Sequence, residues 1–137
     1  MAATSVLVDT SFLVAFLDQR DAHHTWAAAQ GPLFAPPWQT CEAVLAETFY
    51  LLGQRGAAAL TALLRRRALF TPFDFSREQE TVLALMRKYA NVPMSLADAC
   101  LVRMTETHAD PVVLTTDADF SIYRRHSRQV VPCIMPG

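Results

Sequence analysis

The chain of 137 residues has little of what marks several common protein classes. It contains only four glycines, and they form none of the glycine-rich loops that hold phosphates in nucleotide-binding proteins. It has no apolar run long enough to cross a bilayer as a helix. Its three cysteines are far apart and form no CxxC pair, which argues against a disulfide framework and a zinc site. This usage predicts a reducing, cytoplasmic location.

Excess basic charge is also missing, since the formal net charge is −1. The chain as a whole is therefore not typical of a basic nucleic-acid-binding protein. Its basic residues are nearly all arginine, and two clusters stand out: Arg65–Arg67, and Arg124 and Arg125 with Arg128. Arginine suits bidentate contact with phosphate. A solvated helix face is the more economical explanation of such short clusters, although a basic rim beside an acidic centre stays compatible with a nucleic-acid substrate.

Hydrophobic residues make up 52% of the chain, enough to form a core, and the length suits one compact domain over residues 1–137. The runs Val6–Val8 and Val112–Leu114 are apolar without alternation, which indicates strands buried on both faces. Segments with helical periodicity lie between such strands. The alternation predicts an α/β fold with a mainly parallel central sheet.

The order of elements follows from the same patterns. Strands are predicted at residues 5–8, 33–35, 68–72, 112–115 and 130–134, and helices at 10–18, 22–30, 40–52, 55–66, 76–89, 95–108 and 117–124. Thr40 and Ser95 have the residue types and positions of helix N-caps.

Three aspartates lie where helices begin. Asp9 and Asp117 each follow an apolar strand, and Asp98 falls three residues after Ser95. Strand ends of a parallel sheet meet at one edge, so Asp9 and Asp117 are expected to converge there. Helix capping is the alternative for all three, and the S-x-x-D pattern of Ser95 and Asp98 is sufficient to explain Asp98.

Glu47 is the acid that capping does not explain. Its helical neighbours Ala43, Val44, Tyr50 and Leu51 are apolar, which predicts that Glu47 faces the core. A buried, ionised carboxylate is costly unless it is paired with a cation or bound to a metal, and a distant arginine partner is the alternative. Together the four acids predict an oxygen-only site for Mg²⁺ or Mn²⁺.

The segments around these acids resemble the four motifs of PIN-domain proteins, in family order and over almost the whole chain. The segments are residues 8–18, 44–52, 96–102 and 114–120, the last with Tyr123 and Arg124. The length is similar to that of the small VapC-type toxins. The resemblance implies a three-layer α/β/α fold and a Mg²⁺- or Mn²⁺-dependent endoribonuclease. It also implies an RNA substrate, a cognate antitoxin and a homodimer.

The resemblance assigns roles residue by residue. Asp9, Glu47, Asp98 and Asp117 match the acidic quartet. Asp9 and Asp98 are the primary metal ligands and Asp117 a further one, while Glu47 completes the shell or helps accept a proton. The supporting set comprises Ser11 and Thr115, whose hydroxyls orient a carboxylate or water, Asp119 as an extra acid, and Arg124 and Arg125 as phosphate contacts.

Two other functions stay open. The first is a stand-alone RNA-processing nuclease or a phosphatase-like enzyme, although Asp9-Thr10-Ser11 lacks the second acid of the D-x-D phosphatase pattern. The second is a catalytically silent module that binds RNA or protein. Metal binding separates the enzymes from the silent module.

Overall fold

The structure is a computed structural model that describes residues 4–137, so the first three residues of the predicted domain lie outside the described residues. The strands are β1 (Ser5–Val8), β2 (Trp38–Gln39), β3 (Leu69–Phe70), β4 (Pro111–Leu114), β5 (Arg124–Arg125), β6 (Gln129–Val130) and β7 (Cys133–Ile134). The helices are α1 (Thr10–Leu17), α2 (His24–Leu33), α3 (Glu42–Arg65), α4 (Phe75–Lys88) and α5 (Leu96–Glu106), with a short 3₁₀ helix at Ala118–Ser121.

Five strands form one parallel sheet in the order β3-β2-β1-β4-β7. β1 and β4 lie side by side in register, with Val6 opposite Val112 and Val8 opposite Leu114. Their apolar side chains are buried, as expected for strands covered on both faces. From β1 the chain builds the sheet toward β3, and it then returns to the other side of β1 to form β4 and β7. In open parallel sheets such a reversal opens a crevice at the strand ends.

Helices flank this sheet, which confirms the predicted three-layer α/β/α architecture. α1 packs against α2 and α3, and α4 packs against α5, which also contacts β1 and β4. No helix within residues 4–137 combines the length and the apolar character needed to span a bilayer.

The predicted strand at residues 33–35 is wrong. α2 continues through Leu33, and the strand lies further on at Trp38–Gln39, because the Trp38 ring is the group that the core takes up. Thr40 is not the cap of α3 either, since its hydroxyl donates to the Val8 carbonyl at 2.8 Å. Cys41 occupies the N-cap position instead.

The two helices predicted between residues 40 and 66 are confirmed as two helical segments of α3 that meet at a kink. Gly53 has φ 65° and ψ −168°, a conformation that glycine adopts without steric cost. The break lies where the sequence predicts the gap between the two helices.

The chain beyond β4 is less helical than predicted. Only Ala118–Ser121 forms a 3₁₀ helix, and β5 and β6 then pair as an antiparallel hairpin. The predicted strand at residues 130–134 divides between β6 and β7. Pro132 lies between them and has no N–H to continue a ladder.

Candidate functional site

Asp9 follows β1 directly and is 4% exposed. Its Oδ1 accepts the Thr10 backbone N–H at 2.8 Å, so it caps α1. Its Oδ2 accepts the Thr115 hydroxyl at 2.7 Å and lies 3.1 Å from the Ser11 hydroxyl. The carboxylate therefore joins the end of β1 to the loop that follows β4.

Ser11 and Thr115 connect the loop that follows β4 to Asp9 by hydrogen bonds. The Thr116 N–H donates to Ser11 Oγ and the Asp117 N–H donates to Thr115 Oγ1, both at 2.9 Å. The two hydroxyl oxygens are 3.1 Å apart. Both hydroxyls are also within donating distance of Asp9 Oδ2, so each links a backbone N–H of this loop to the Asp9 carboxylate.

Asp98 lies in the first turn of α5 and is 9% exposed. Ser95 and Asp98 form the predicted capping box, with the Ser95 hydroxyl accepting the Asp98 N–H at 3.0 Å. Asp98 Oδ2 accepts the Ser95 N–H at 3.3 Å and also the Tyr123 hydroxyl at 2.9 Å. A cap alone does not explain the Tyr123 contact, to which the sequence gives no signal beyond the place of Tyr123 in the fourth motif.

Asp117 follows β4, as Asp9 follows β1, and is half-buried. Its Oδ1 accepts the Asp119 N–H at 2.9 Å, so it caps the 3₁₀ helix. Asp119 lies in the first turn of that helix, and its negative charge acts on Tyr123. Asp117 and Asp119 are thus carried by the same loop that orients Asp9.

Burial and repulsion from a neighbouring aspartate raise the pKa values of Asp9 and Asp98. Burial raises the pKa of Asp9 to about 6, and the negative charge of Asp98 acts in the same direction. Burial also raises the pKa of Asp98, with a contribution from the charge of Asp117. Within residues 4–137 no ion pair involves any of these acids. The ionised site is therefore an uncompensated negative centre, which a cation would stabilise.

Glu47 does not face the core as predicted, because its side chain is exposed. The buried positions of this part of α3 are Val44 and Thr48, whereas Tyr50 and Leu51 are exposed beside Glu47. Of the apolar neighbours, Tyr50 and Leu51 thus belong to the surface, whereas Val44 belongs to the core. Glu47 Oε2 still lies 3.3 Å from the Thr10 hydroxyl, which places Glu47 at the rim of the Asp9 site.

The donor set fits Mg²⁺ or Mn²⁺ in its chemistry. Every group at the site offers oxygen, and Asp9, Asp98 and Asp117 each keep lone pairs that the hydrogen bonds above do not use. In the described part of the chain, however, no three acidic, histidine or cysteine side chains already stand as a closed ligand set. The side chains would have to draw together around an ion.

Arg124 and Arg125, the predicted phosphate contacts, both donate hydrogen bonds to backbone carbonyls. Arg124 Nη1 donates to the carbonyls of Ser121, Ile122 and Tyr123 at 2.8–3.2 Å. Arg125 Nη2 donates to the carbonyl oxygens of Thr105 and His108 at the end of α5. These contacts hold the chain that follows the 3₁₀ helix.

The structure does not bring the Arg65–Arg67 cluster to the acids. These residues precede β3, whereas Asp9 follows β1, and the strands are parallel. The cluster therefore lies toward the opposite edge of the sheet. Its exposed side chains fit the alternative of a solvated surface.

Comparison with known proteins decides the family. The family model of the PIN domain matches residues 6–125, which include all four acids. The chain belongs to the PIN-domain family. A search of solved structures finds a similar PIN-type fold in the crystal structure of Mycobacterium tuberculosis VapC20, described as a sarcin–ricin loop cleaving toxin. The TM-score is 0.77 at 25% identity, covering 86% of this PIN-domain chain and 94% of the other. No curated protein sequence matches.

Proposed function

We propose that the chain is a Mg²⁺- or Mn²⁺-dependent endoribonuclease that hydrolyses RNA phosphodiester bonds. In this proposal residues 1–137 act as one PIN domain, in the cytoplasm, as the toxin of a toxin–antitoxin pair. Membership of the PIN-domain family and the similarity to VapC20 support the class of reaction. The acidic centre at the ends of β1 and β4 supports the location of the site.

One observation carries the proposal: Asp9 is buried, close to Asp98, and without a basic partner in residues 4–137. Burying a carboxylate in this way disfavours its charged form. An N-cap does not need burial or a second acid, since a serine or threonine caps equally well. A cation site gives the arrangement a purpose that capping does not.

The proposed ligands are Asp9, Asp98 and Asp117. Asp9 would bind with its orientation fixed by Thr115 and Ser11. Asp98 would use Oδ1, since both of its hydrogen bonds go to Oδ2. Asp117 would use Oδ2, since Oδ1 is occupied by the Asp119 N–H. Asp119, on the same loop, is proposed as an additional oxygen ligand.

A bound Mg²⁺ or Mn²⁺ ion would supply positive charge that lowers the pKa of a water molecule and neutralises charge developing on the phosphate. Glu47 is proposed to accept the proton of the attacking water, because it is exposed at the rim and contacts Thr10 beside Asp9. Hydrolysis adds the water across one P–O bond, leaving a phosphomonoester on one fragment and a hydroxyl on the other.

Of the two predicted phosphate contacts, Arg124 is the better candidate. It uses Nη1 for the carbonyls of residues 121–123, so the rest of its guanidinium can donate to an RNA phosphate. Arg125 is held by the end of α5, and a phosphate contact would have to share its guanidinium with those carbonyls.

The proposed partners are RNA, a cognate antitoxin and a second copy of the chain. Tyr50 and Leu51 are 85% and 61% exposed next to Glu47, an apolar surface that a protein partner would cover. Light scattering would give the mass of the purified protein alone and with the product of any small gene immediately upstream. A protein that stays monomeric and does not bind that product would contradict the proposed homodimer and antitoxin.

The first test is cleavage of labelled structured RNAs by the purified protein in Mn²⁺, Mg²⁺ or EDTA. Asp9→Asn removes the buried charge while keeping side-chain size and should abolish cleavage. Asp110→Asn is the matched control, because Asp110 is an exposed aspartate just before β4, at the other edge of the sheet.

Cleavage that needs metal, survives Asp110→Asn and disappears with Asp9→Asn would establish the activity and its site. Mn²⁺ binding by calorimetry, measured in parallel, separates the failures. Neither cleavage nor Mn²⁺ binding would favour the catalytically silent module. Cleavage that persists in EDTA would reject metal dependence.

A further inference from the structure

We propose that Tyr123 is a positioning residue that holds Asp98 in the orientation in which it binds the cation. The inference rests on the proposed function, because it assumes that Asp98 is a ligand. It adds a residue that lies outside the acidic quartet and carries no charge.

The hydrogen bonds of Asp98 are all on one side of its carboxylate. The Tyr123 hydroxyl donates to Oδ2 at 2.9 Å, and the Ser95 N–H donates to the same oxygen at 3.3 Å. Each carboxylate oxygen has two acceptor sites, so these two donors fill Oδ2. Oδ1 is thereby presented to the cation.

The Tyr123 ring has no freedom to release Asp98. It is completely buried and packs edge-on against Phe120 and Tyr89, with ring centroids 5.3 and 5.2 Å away. The Tyr89 hydroxyl accepts the Arg124 N–H at 3.0 Å and takes no part in this ring packing. The position of the Tyr123 hydroxyl is therefore set by the aromatic cluster.

A neutral donor suits this position better than a charged one. The charge of Asp117 repels that of Asp98, so an unrestrained Asp98 side chain would turn away from the other acids. An arginine or lysine would also hold Asp98, but its positive charge would compete with the cation. A phenol restrains the carboxylate and leaves its negative charge available, which is how outer hydrogen-bond partners tune metal ligands.

The test is Tyr123→Phe, which removes the hydroxyl and keeps the packed ring. Calorimetry with Mn²⁺ in the absence of RNA should show affinity weakened by about 10- to 100-fold, the usual cost of losing such a partner. RNA cleavage at a fixed, subsaturating Mn²⁺ concentration should fall in kcat with KM for RNA little changed. Saturating Mn²⁺ should restore part of the loss.

Tyr89→Phe is the matched control, because it removes a tyrosine hydroxyl from the same cluster without touching an acid. Both variants are measured well below their Tm, and the Mn²⁺-induced rise in Tm provides a second readout of binding. Mn²⁺ affinity that is unchanged in Tyr123→Phe, or equally weakened in Tyr89→Phe, would overturn the positioning role alone. Absence of Mn²⁺ binding by the unsubstituted protein would overturn this role together with the proposed function.

Discussion

The acids between α4 and α5 differ from the acids at the ends of β1 and β4 in one respect, the presence of a basic partner. Arg103 contacts Glu78 at 2.7 Å and Glu106 at 3.1 Å, and we call these three residues the α4–α5 seam. Asp9 and Asp98 are 4% and 9% exposed, and the Glu106 side chain is 8% exposed, yet no ion pair in residues 4–137 includes either aspartate. The chain thus neutralises partly buried acids in the seam and leaves the buried aspartates at the strand ends without a basic partner.

The chain therefore uses acidic side chains in two ways. In the seam, charge is balanced within the chain, and the result is contact between two helices. At the strand ends, the repulsion between carboxylates opposes folding until something positive arrives. Strain that the native fold tolerates at one place is typical of a binding site.

The largest effect is expected when the strand-end site is made to resemble the seam. Glu47→Lys would place a positive charge beside Thr10 and Asp9, where it would repel a divalent cation. Repulsion between neighbouring charges near a protein surface is about 3 kcal/mol, or roughly 100-fold in affinity. Mn²⁺ calorimetry should record this loss, and RNA cleavage should fall with it. Glu80→Lys, on the exposed face of α4, should leave both unchanged.

The pH dependence of stability should expose the cost of leaving Asp9 unpaired. Its pKa rises from 3.8 to about 6 on folding, so the folded state holds the proton more tightly. The stabilisation is complete below pH 3.8 and is lost as pH rises through 6, an amount of about 3 kcal/mol. Urea unfolding in EDTA should show that the contribution of Asp9 to the free energy of unfolding decreases between pH 4 and 7.

Asp9→Asn cannot ionise and should remove that fall, while Asp110→Asn should keep it. The raised pKa of Asp98 acts in the same direction, so a smaller slope is expected to persist in Asp9→Asn. Added Mn²⁺ should reverse the trend above pH 6, because the ion stabilises the ionised form. An identical pH profile for Asp9→Asn and the unsubstituted protein would mean that Asp9 is not the strained group.

Removing the cation of the seam should weaken folding and spare the site. Arg103→Met keeps an apolar stem but leaves Glu78 and Glu106 without their cation, while Glu106 Oε2 keeps the His126 N–H. Loss of a hydrogen bond to a charged group costs about 2 kcal/mol, which urea unfolding would measure. Cleavage and Mn²⁺ affinity should be retained below the lowered Tm. Arg77→Met, an exposed arginine on α4, should cost much less. Loss of Mn²⁺ binding in Arg103→Met would show that the two regions are coupled.

The sequence predicts the framework of the site because that framework is local. Asp9 and Asp117 follow apolar strands, and parallel strands bring their carboxyl ends together whatever the detail of the loops. The capping box of Ser95 and Asp98 is likewise written in four consecutive positions. Features that depend on a short stretch of sequence and on backbone geometry are therefore predictable without a structure.

Contacts made across the fold are not predictable in this way. Tyr123 reaches Asp98 over 25 residues, through a path set by the short 3₁₀ helix and by Arg124. The apolar neighbours of Glu47 predict that it is buried, but two of them, Tyr50 and Leu51, face outward. The triplet Leu33–Ala35 has the composition of a strand, whereas α2 takes up its first residue. In each case the chain path, and not the local pattern, decides.

The smallest effect is expected from removing two helix caps, one at the site and one on α4. The comparison tests whether the cap or the Tyr123 hydroxyl orients Asp98. Ser95 caps α5 at the site, and Asp74 caps α4 at the seam, where its Oδ1 accepts the Ser76 N–H at 3.1 Å. Ser95→Ala and Asp74→Ala should each cost about 1 kcal/mol of stability in urea unfolding. Mn²⁺ affinity should stay near that of the unsubstituted protein in both, because the Ser95 backbone N–H still donates to Asp98. If Ser95→Ala instead weakens Mn²⁺ binding as much as Tyr123→Phe, the cap rather than the phenol orients Asp98, and the site and the seam differ in charge but not in how their acids are held.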